Sequence, residues 1–373
     1  MVTKDLGMTL NYCNHWGIPE AVREFFQNCY DAEKVDENNK MFFDYDVASK
    51  LLTIGNKLGS LSRDSLLLGC TSKEDDERTV GRFGEGYKVA TTVLLRCGCS
   101  VRIKNYSARE VWTSRVIKRK KSKESVGAFD IEVIPIWKKV PSNNLVFEIS
   151  GVSAEDYNAI KDKILHLHED LGECYKVEDA TILLDERYSG NLYVNGLFVC
   201  KNPRFKYGYD LDPSLITLNR DRDIVNDTDL SFITSKLIAE TGDTSFIVDN
   251  LNTTDGQFLG YYLESYTEYK NYAKNIGSSL QSKLKSNYGD DVVVSSNRDE
   301  VNNLFRQGKN AVLISQSEYR VLASVQEDLD SIEVYNKDSA TERFRNWFSE
   351  LEGKVDKEFY EKGLSLLNLV LPK

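Results

Sequence analysis

The sequence predicts an α+β fold in which helices lie on one face of a mixed, mainly antiparallel sheet. Two observations carry this prediction: a helical pattern of apolar residues over residues 20–33, and a succession of strand patterns between residues 100 and 150. The chain has 373 residues, of which 41% are hydrophobic and 28% charged, as is usual for a globular protein with a sizeable core. Because this length exceeds one average domain, we expect two or three folding units.

Local patterns predict each element of the first 150 residues in turn. Apolar residues at helical spacing predict the helix over residues 20–33, and Pro19 suits its first turn. Two further helices are predicted over residues 61–68 and 86–96. Strand-forming runs predict strands over residues 41–46, 51–54, 100–104, 109–118, 128–137 and 145–150.

A second region begins near Gly151. A helix is predicted over residues 154–171, a strand over 181–184, and a hairpin over 191–199 with Asn195-Gly196 as its turn. Patterns after residue 229 are mostly helical. The last hundred residues alternate between the two types, with predicted elements over 291–294 (strand), 300–307 (helix), 311–314 (strand) and 340–369 (mostly helix). We therefore expect three domains, over residues 1–150, 151–250 and 251–373.

Composition argues against several classes of protein. No run of eighteen apolar residues occurs, and the N-terminus lacks the basic and then apolar pattern of a secretion signal, so we expect a cytoplasmic protein without membrane spans. The seven cysteines show no paired CxxC spacing, and there are only three histidines, so neither a disulfide framework nor a metal-centred enzyme is expected. The formal net charge of −10 disfavours extensive binding to nucleic acid.

One local exception to this acidic balance is the basic run of residues 115–123, RVIKRKKSK, which holds six cations in nine residues. Two interpretations stay open. The run is either a solvated tip between two strands or an electrostatic landing site for an acidic partner or nucleic acid.

A first chemical motif lies on the predicted helix 20–33. Glu24, Asn28 and Asp31 are spaced four and three residues apart, so they share one stripe of the helix. The stripe is either the solvent face of an amphipathic helix or a set of polar groups that serve a site.

A second motif, VGRFGEGYK, covers residues 80–88 and precedes an apolar helix. Its glycines, Gly81, Gly84 and Gly86, allow backbone N–H groups to approach an anion, and the following helix N-terminus adds its positive dipole end. The motif is not a Walker loop, because Val89 stands where Ser or Thr would hold magnesium. It does not match a dinucleotide fingerprint either, since loop residues rather than a strand precede it.

Between these motifs lies a glycine-containing turn, Gly55 to Gly59, and then a cluster of two hydroxyls and a cation, Thr71, Ser72 and Lys73. Hydroxyls and a lysine after a glycine are natural phosphate ligands, although the same residues also suit a plain helix C-terminus.

Four features follow one another along the chain: E-x-x-x-N-x-x-D, the glycine turn, Thr-Ser-Lys and G-x-F-G-x-G-Tyr-Lys. Their order resembles that of the GHKL ATPase superfamily. That group includes gyrase B subunits, the ninety-kilodalton heat-shock chaperone, MutL-type repair proteins, sensor histidine kinases and the MORC proteins. The resemblance covers residues 15–150 by motif and continues more weakly to about residue 230. It implies a Bergerat ATP-binding sandwich over residues 1–150, a transducer-like α/β domain over 151–250, and a C-terminal α/β extension of unknown role over 251–373.

The same resemblance implies roles for individual residues. Glu24 would be the general base that polarises the attacking water, Asn28 would coordinate Mg²⁺, and Asp31 would shape the adenine and ribose side of the pocket. Backbone N–H groups of the glycine-rich motif would wrap the triphosphate. The implied contacts to phosphate come from Thr71, Ser72, Lys73, Gly81, Phe83, Gly84, Glu85, Gly86, Tyr87 and Lys88.

The sequence departs from the family pattern at the base-reading motif, which normally reads Asp-x-Gly-x-Gly. Here Asn56 stands at the position of the aspartate that accepts a hydrogen bond from the adenine amino group, and Gly59 closes the motif. A carboxamide oxygen can accept the same bond, but it carries no charge and the group can flip. Adenine selectivity is therefore open at this stage.

In relatives a basic residue of the transducer domain reaches the γ-phosphate. The candidates for this phosphate contact are Lys201, Lys206, Arg220 and Arg222, of which we select Arg220. The alternating charges around Arg220 are also typical of a surface turn or of an internal ion-pair cluster, and neither of these contacts phosphate.

The resemblance implies a Mg²⁺-dependent ATP hydrolase that closes a lid over residues 72–81, forms an ATP-dependent homodimer, and acts on a protein or nucleic-acid client. Two alternatives remain: a nucleotide-gated binding switch with little hydrolysis, and a DNA-associated ATPase of the MutL or MORC type. A histidine kinase is not expected, because His166 and His168 lie after the ATP-binding region rather than before it.

Overall fold

The computed structural model describes residues 1–66, 86–119, 125–133, 143–216, 227–265, 270–325 and 333–334, and residues 348, 354–355, 357 and 360–363. The chain forms two compact units. Unit 1 comprises Met1–Cys174, Asp179–Asn202 and Gly208–Ile224, and unit 2 comprises Tyr175–Glu178, Pro203–Tyr207 and Val225–Lys373. The predicted boundaries after residues 150 and 250 fall inside unit 1 and unit 2 respectively, and the three-domain division stays a prediction.

Unit 1 contains a seven-stranded sheet in which every neighbouring pair of strands is antiparallel. Its strands are β1 (Val2–Thr9), β2 (Met41–Asp46), β3 (Leu51–Asn56), β4 (Ser100–Asn105), β5 (Glu110–Lys118), β6 (Ser125–Val133) and β7 (Leu145–Ser150). They are ordered β1-β6-β5-β4-β7-β3-β2 across the sheet. With the helices that pack on it, this sheet confirms the predicted α+β class.

Two helices, α1 (Ile18–Val35) and α2 (Gly86–Arg96), pack on this sheet. Pro19 occupies the first turn of α1 as predicted, and the Gly17 amide donates a hydrogen bond to the Glu20 carboxylate, which caps the helix. Fully buried apolar groups of both helices meet the alternate buried residues of the strands, for example Phe25 against Phe147. Each such side chain contributes roughly 1.5–3 kcal/mol when it leaves water.

The first strand was not predicted from the sequence. Strand β1 pairs with β6, but its register shifts between Asp5 and Thr9, and Gly7 adopts a positive φ of 79°. An irregular edge strand of this kind loses the simple alternation of apolar and polar residues by which strands are recognised.

Unit 1 continues with α3 (Ala154–Asp162), and the predicted helix over residues 154–171 is therefore wrong in its second half. The backbone leaves the helix because it pairs with a distant strand instead. Ile164 forms an antiparallel bridge with Leu197, and the Leu165 amide donates to the carbonyl of Gly196. Tertiary pairing thus outweighs a helical pattern whose last turns hold only short 3₁₀ structure.

The remaining strands before residue 212 are β8 (Cys174–Val177), β9 (Ala180–Leu183), β10 (Asn191–Val194), β11 (Leu197–Lys201) and β12 (Gly208–Leu211). Within unit 1 the last four are ordered β11-β10-β12-β9. The predicted hairpin turn is confirmed, since Asn195 and Gly196 have positive φ values of 54° and 74°, as a type I′ turn requires.

Unit 2 is mainly helical and carries a small parallel sheet. Its elements are α4 (Asp227–Glu240), α5 (Thr244–Asn250), α6 (Leu259–Ser265), α7 (Lys270–Tyr288), β13 (Val293–Ser295), α8 (Arg298–Arg306), β14 (Ala311–Leu313), α9 (Gln316–Ser324) and β15 (Glu333–Val334). The strands are parallel in the order β14-β13-β15. Most of the predicted helical region 340–369 lies outside the described residues.

The helices of the described part of the chain include none that combines the length and apolar character needed to cross a membrane.

Candidate functional site

The polar stripe of α1 is buried and is therefore not a solvent face. The solvent-exposed fractions of Glu24, Gln27 and Asp31 are 2%, 1% and 0%, while Asn28 is partly exposed. Buried charged and amide groups must be matched by polar partners, so they occur where a structure or a site requires them. The stripe is consistent with polar groups that serve a site.

The Glu24 carboxylate lies against the first residue of α2. A methyl group built on Gly86 would stand 2.5 Å from Oε2 of Glu24, closer than any ordinary contact. Only glycine allows the two helices to approach to this distance at this point. The carboxylate consequently sits beside the positive end of α2, where a negative charge is favoured.

Arg23, which sequence reasoning missed, contacts the same carboxylate. Its Nη2 lies 3.4 Å from Oε1 of Glu24, and its Nη1 donates a 2.7 Å hydrogen bond to the carbonyl of Phe198. Adjacent helical residues do not normally face each other, so this contact depends on the position of strand β11. The sequence signal available for it was a cation next to the glutamate of the motif on the predicted helix.

Other contacts join α1 to the hairpin of β10 and β11. Nζ of Lys34 donates a 2.5 Å hydrogen bond to Oδ1 of Asn195, and the imidazole of His166 packs on the ring of Tyr30 at 4.3 Å between centroids. Burial and the nearby Asp210 carboxylate raise the pKa of Tyr30. These contacts tie the C-terminal half of α1 to the segments around His166 and Asn195.

Asn28 is partly exposed and lies one turn beyond Glu24. Mg²⁺ prefers hard oxygen ligands and is commonly held by one or two protein oxygens together with substrate phosphates. Within the described residues, no group of three or more His, Cys, Asp or Glu side chains could hold a metal. The amide oxygen of Asn28 is a hard donor of the kind that Mg²⁺ takes together with phosphate oxygens.

At the far end of α1, Asn56 terminates strand β3 and is 2% exposed. Its Nδ2 donates to the carbonyl of Cys29 at 2.9 Å and to the carbonyl of Asn39 at 3.1 Å. The side chain of Asn39 in turn accepts a 2.8 Å hydrogen bond from the Leu58 amide. The Gly55–Gly59 turn is thus tied to both the last turns of α1 and the connection that follows it.

The two glycines of this motif are required by close packing. A methyl group on Gly59 would stand 2.8 Å from Cβ of Leu145, and one on Gly55 would stand 2.3 Å from the carbonyl oxygen of Leu145. Larger residues would push β3 and the following turn away from β7. Gly55 was quoted in the sequence motif without a role, and its role is this packing.

Tyr87 and Lys88, predicted to face phosphate, are largely or fully buried at 7% and 0% exposure. The Tyr87 hydroxyl lies 2.8 Å from Oγ of Ser65, and burial raises its pKa to about 12. The phenol is therefore neutral throughout the physiological range. The other predicted phosphate contacts lie outside the described residues, namely Thr71, Ser72, Lys73, Gly81, Phe83, Gly84, Glu85 and Arg220.

The basic run is partly neutralised within unit 1. Arg115 pairs with Asp130 at 2.5 Å, and Arg119 pairs with Asp5 at 2.8 Å. The first pair joins the neighbouring strands β5 and β6, and the second joins the residue after β5 to the edge strand β1. This supports a structural role for these two arginines, and residues 120–124 lie outside the described part.

No known protein-family model matches the chain. An uncharacterized protein of Mycoplasma pneumoniae is 25% identical over 219 residues, which cover 56% of this chain and 85% of that protein. Among solved structures, the ATPase and transducer domains of DNA topoisomerase II from Balamuthia mandrillaris match at 12% identity with a TM-score of 0.31, over 53% of this chain and 66% of theirs.

The ATPase region of Saccharomyces cerevisiae topoisomerase II bound to ICRF-187 (dexrazoxane) matches at 10% identity with a TM-score of 0.32, over 49% of this chain and 62% of that one. The chain thus spans less than two thirds of the length of these two structures. Similarity at this level does not assign the chain to a family.

Proposed function

We propose that this chain is a GHKL-type ATP-binding protein and a Mg²⁺-dependent ATPase. The observation that carries the proposal is the buried carboxylate of Glu24 against Gly86, the residue at which α2 begins directly after the glycine-rich segment. A carboxylate placed beside the expected phosphate cradle is the arrangement that nucleotide hydrolysis needs, because phosphoryl transfer depends on positioning and charge neutralisation.

In the proposed reaction Glu24 orients the attacking water and accepts its proton. Gly86 leaves room for the carboxylate, and the Arg23 guanidinium restrains it from the other side. A carboxylate held by fixed partners loses little freedom when the water binds, which lowers the entropic cost of reaching the reactive geometry.

Asn28 is the residue that would hold Mg²⁺, whose charge would offset that of the phosphates. Asp31, Asn56 and Gly59 would line the base side of the pocket. Closure of a lid over residues 72–81, an ATP-dependent homodimer, and a protein or nucleic-acid client complete the proposal. They rest on the motif resemblance alone.

The proposal is tested by Mg²⁺-dependent ATP turnover and ATP binding of the wild type beside Glu24→Gln. We expect Glu24→Gln to bind ATP within about threefold of the wild type and to lose turnover by on the order of a hundredfold or more. The matched control is Glu33→Gln, which changes a carboxylate of the same helix that instead binds Lys40 and the Met41 amide. Equal turnover by Glu24→Gln and wild type would reject Glu24 as the base.

A nucleotide-gated switch is the second candidate, since the contact with Arg23 already occupies one oxygen of Glu24. If both the wild type and Glu24→Gln bound ATP and neither turned it over, the result would favour the switch. Absence of ATP binding by the wild type would reject both candidates.

A further inference from the structure

The segment of residues 59–66, which follows the turn after β3, is fixed on the neighbouring strands. Asn105 at the end of β4 is fully buried, and its Nδ2 donates a 2.7 Å hydrogen bond to the carbonyl of Leu61. Oδ1 of the same side chain accepts a hydrogen bond from the Ser60 hydroxyl at 3.3 Å. A buried carboxamide that uses both its donor and its acceptor holds its partners in one arrangement. The start of the 59–66 segment is therefore tied to β4.

A second anchor holds the end of the 59–66 segment on β5. Oε1 of the nearly buried Glu110 carboxylate lies 2.8 Å from Nε and 2.6 Å from Nη2 of Arg63. Oε2 of Glu110 accepts a 2.7 Å hydrogen bond from Nε1 of Trp112. Both oxygens of the carboxylate thus have donors, which is the condition under which a buried charge is stable. Because Arg63 begins the short 3₁₀ turn Arg63–Leu66, this turn is fixed to β5.

The hydrogen bond between Ser65 and Tyr87 has a direction that follows from the other contact of Ser65. The Ser65 hydroxyl donates a 2.6 Å hydrogen bond to the carbonyl of Ser62, and a serine hydroxyl has only one proton to donate. The Tyr87 hydroxyl, 2.8 Å from Oγ of Ser65, is therefore the donor of the bond between them. The one proton of this largely buried phenol is thus used within the protein.

This hydrogen bond joins the 59–66 segment to the first turn of α2, which contacts Glu24. Tyr87 directly follows Gly86, at which a methyl group would stand 2.5 Å from Oε2 of Glu24. Neighbouring residues of one helical turn move together, so a shift of Tyr87 also displaces Gly86 relative to the carboxylate. A misplacement of about 1 Å at a reacting group costs on the order of a hundredfold in rate. The bond to Ser65 therefore acts on the part of the site where position matters most.

We infer that Tyr87 positions Glu24 for hydrolysis through its hydrogen bond to Ser65, and that the Tyr87 hydroxyl does not contact the nucleotide. The inference rests on the proposed function, in which Glu24 orients the attacking water. It gives Tyr87 a role other than the phosphate contact that the motif resemblance implies, and it adds Ser65, which belongs to no motif of the sequence, as a second positioning residue. The anchors at Asn105 and Glu110 supply the fixed support against which this bond acts.

The test compares wild type with Tyr87→Phe, Ser65→Ala and the double variant in Mg²⁺-dependent ATP turnover, with ATP binding measured by calorimetry. Phenylalanine keeps the buried ring and removes only the hydroxyl. We expect kcat to fall about threefold to tenfold in each single variant, because one hydrogen bond between uncharged groups contributes a factor of this size. KM and the Kd for ATP should stay within about twofold of wild type, because the hydroxyl does not touch the nucleotide. The double variant should lose no more than a single variant, since all three lack the same bond.

The matched control is Tyr188→Phe, which removes the hydroxyl of another buried tyrosine of unit 1. Tyr188 is 1% exposed, and its hydroxyl lies 2.7 Å from Nδ1 of His168. We expect both tyrosine variants to lower the unfolding midpoint, and the control to keep kcat within about twofold of wild type. Turnover is measured well below all the midpoints, so that loss of folded protein does not enter kcat. An equal fall of kcat in Tyr188→Phe would overturn the inference, because the effect would then be a general one on structure.

The remaining outcomes separate the inference from the function beneath it. Unchanged kcat in Tyr87→Phe would overturn the inference and leave the proposed ATPase standing, since the wild type would still hydrolyse ATP. A rise in KM and Kd without a fall in kcat would also overturn it, because the hydroxyl would then contact the nucleotide. A double variant whose loss is the product of the two single losses would show that Ser65 and Tyr87 act independently, which is again contrary to the inference. Wild type that does not hydrolyse ATP would reject the proposed ATPase and the inference together.

Discussion

The two polar clusters at the ends of α1 are held differently. Near its N-terminus, the charged pair Arg23 and Glu24 contacts residues far away in sequence, Phe198 and Gly86. Near its C-terminus, the Glu33 carboxylate and the Asn56 amide bind groups closer in sequence, Lys40 and the Met41 amide for Glu33 and the carbonyls of Cys29 and Asn39 for Asn56, although Lys34 also reaches Asn195. The proposed catalytic cluster thus depends on distant segments, whereas the contacts of Glu33 and Asn56 come mainly from nearby ones.

The largest expected effect comes from removing the cation at the proposed catalytic end. Arg23→Met removes the buried guanidinium that contacts both the Glu24 carboxylate and the Phe198 carbonyl, so we expect a loss of about 3–5 kcal/mol in the free energy of unfolding. Urea unfolding measures this loss. The matched control is Lys163→Met, whose ammonium also lies near Phe198, 3.6 Å from the ring centroid, but whose side chain is 28% exposed. A loss of 1 kcal/mol or less is expected for the control.

If Arg23→Met and Lys163→Met lost equal free energy of unfolding, the guanidinium of Arg23 would contribute no more than a surface charge does. The contrast between the two ends of α1 would then be rejected.

The next effect is on turnover. Gly86→Ala places a methyl group 2.5 Å from Oε2 of Glu24, so either the carboxylate or α2 must move. A displacement of this size at a reacting group costs about a hundredfold in rate, so we expect kcat for ATP to fall by that factor with little change in KM. Steady-state kinetics measure both. Gly17→Ala is the control, because a methyl group there meets nothing closer than 3.4 Å. Unchanged kcat in Gly86→Ala would show that the proximity of α2 to Glu24 has no catalytic role.

The smallest effect is expected at the local end and depends on pH. The side-chain hydrogen bond from Lys40 and the backbone one from Met41 lower the pKa of Glu33 below its usual 4.5. Its stabilising contribution is therefore fully present above pH 4.5 and is lost as the pH falls through the lower pKa of the folded state. Glu33→Gln should cost about 1 kcal/mol at pH 7 and flatten this part of the acid dependence. Thermal unfolding from pH 7 to pH 3 would contradict the assignment if wild type and variant lost stability in parallel.

The sequence was most informative where a pattern and its contacts are close together. The span of α2 was predicted without error, and the Asn195-Gly196 turn was predicted from two residues whose positive φ values are intrinsic to the type of turn. The motif on α1 identified Glu24 as a residue of interest, although the sequence could not decide between exposure and burial. Local sequence patterns predict these features because the interactions that determine them lie within one helix or one turn.

Prediction failed where distant contacts decide. The helix expected over residues 154–171 ends at Asp162 because the following backbone pairs with Leu197, and no local signal marks that pairing. Arg23 was missed for the same reason, since its carbonyl partner lies 175 residues further along the chain. The identity of Asn56 could be read as a departure from the motif. Its cause, two carbonyl oxygens facing the amide, required the structure.

The order of the strands in the first sheet has a consequence for folding during synthesis. Strand β1 leaves the ribosome before the other strands of this sheet, yet Val2 pairs with Ile131, so β1 stays unpaired until β6 has been made. Arg23 emerges early as well and gains its carbonyl partner only when Phe198 has been made. Long-range pairing of this kind slows folding and leaves strand edges open in the meantime. The nascent chain therefore carries an unpaired β1 until β6 (Ser125–Val133) has been made, and the contact of α1 with the Phe198 carbonyl forms later still.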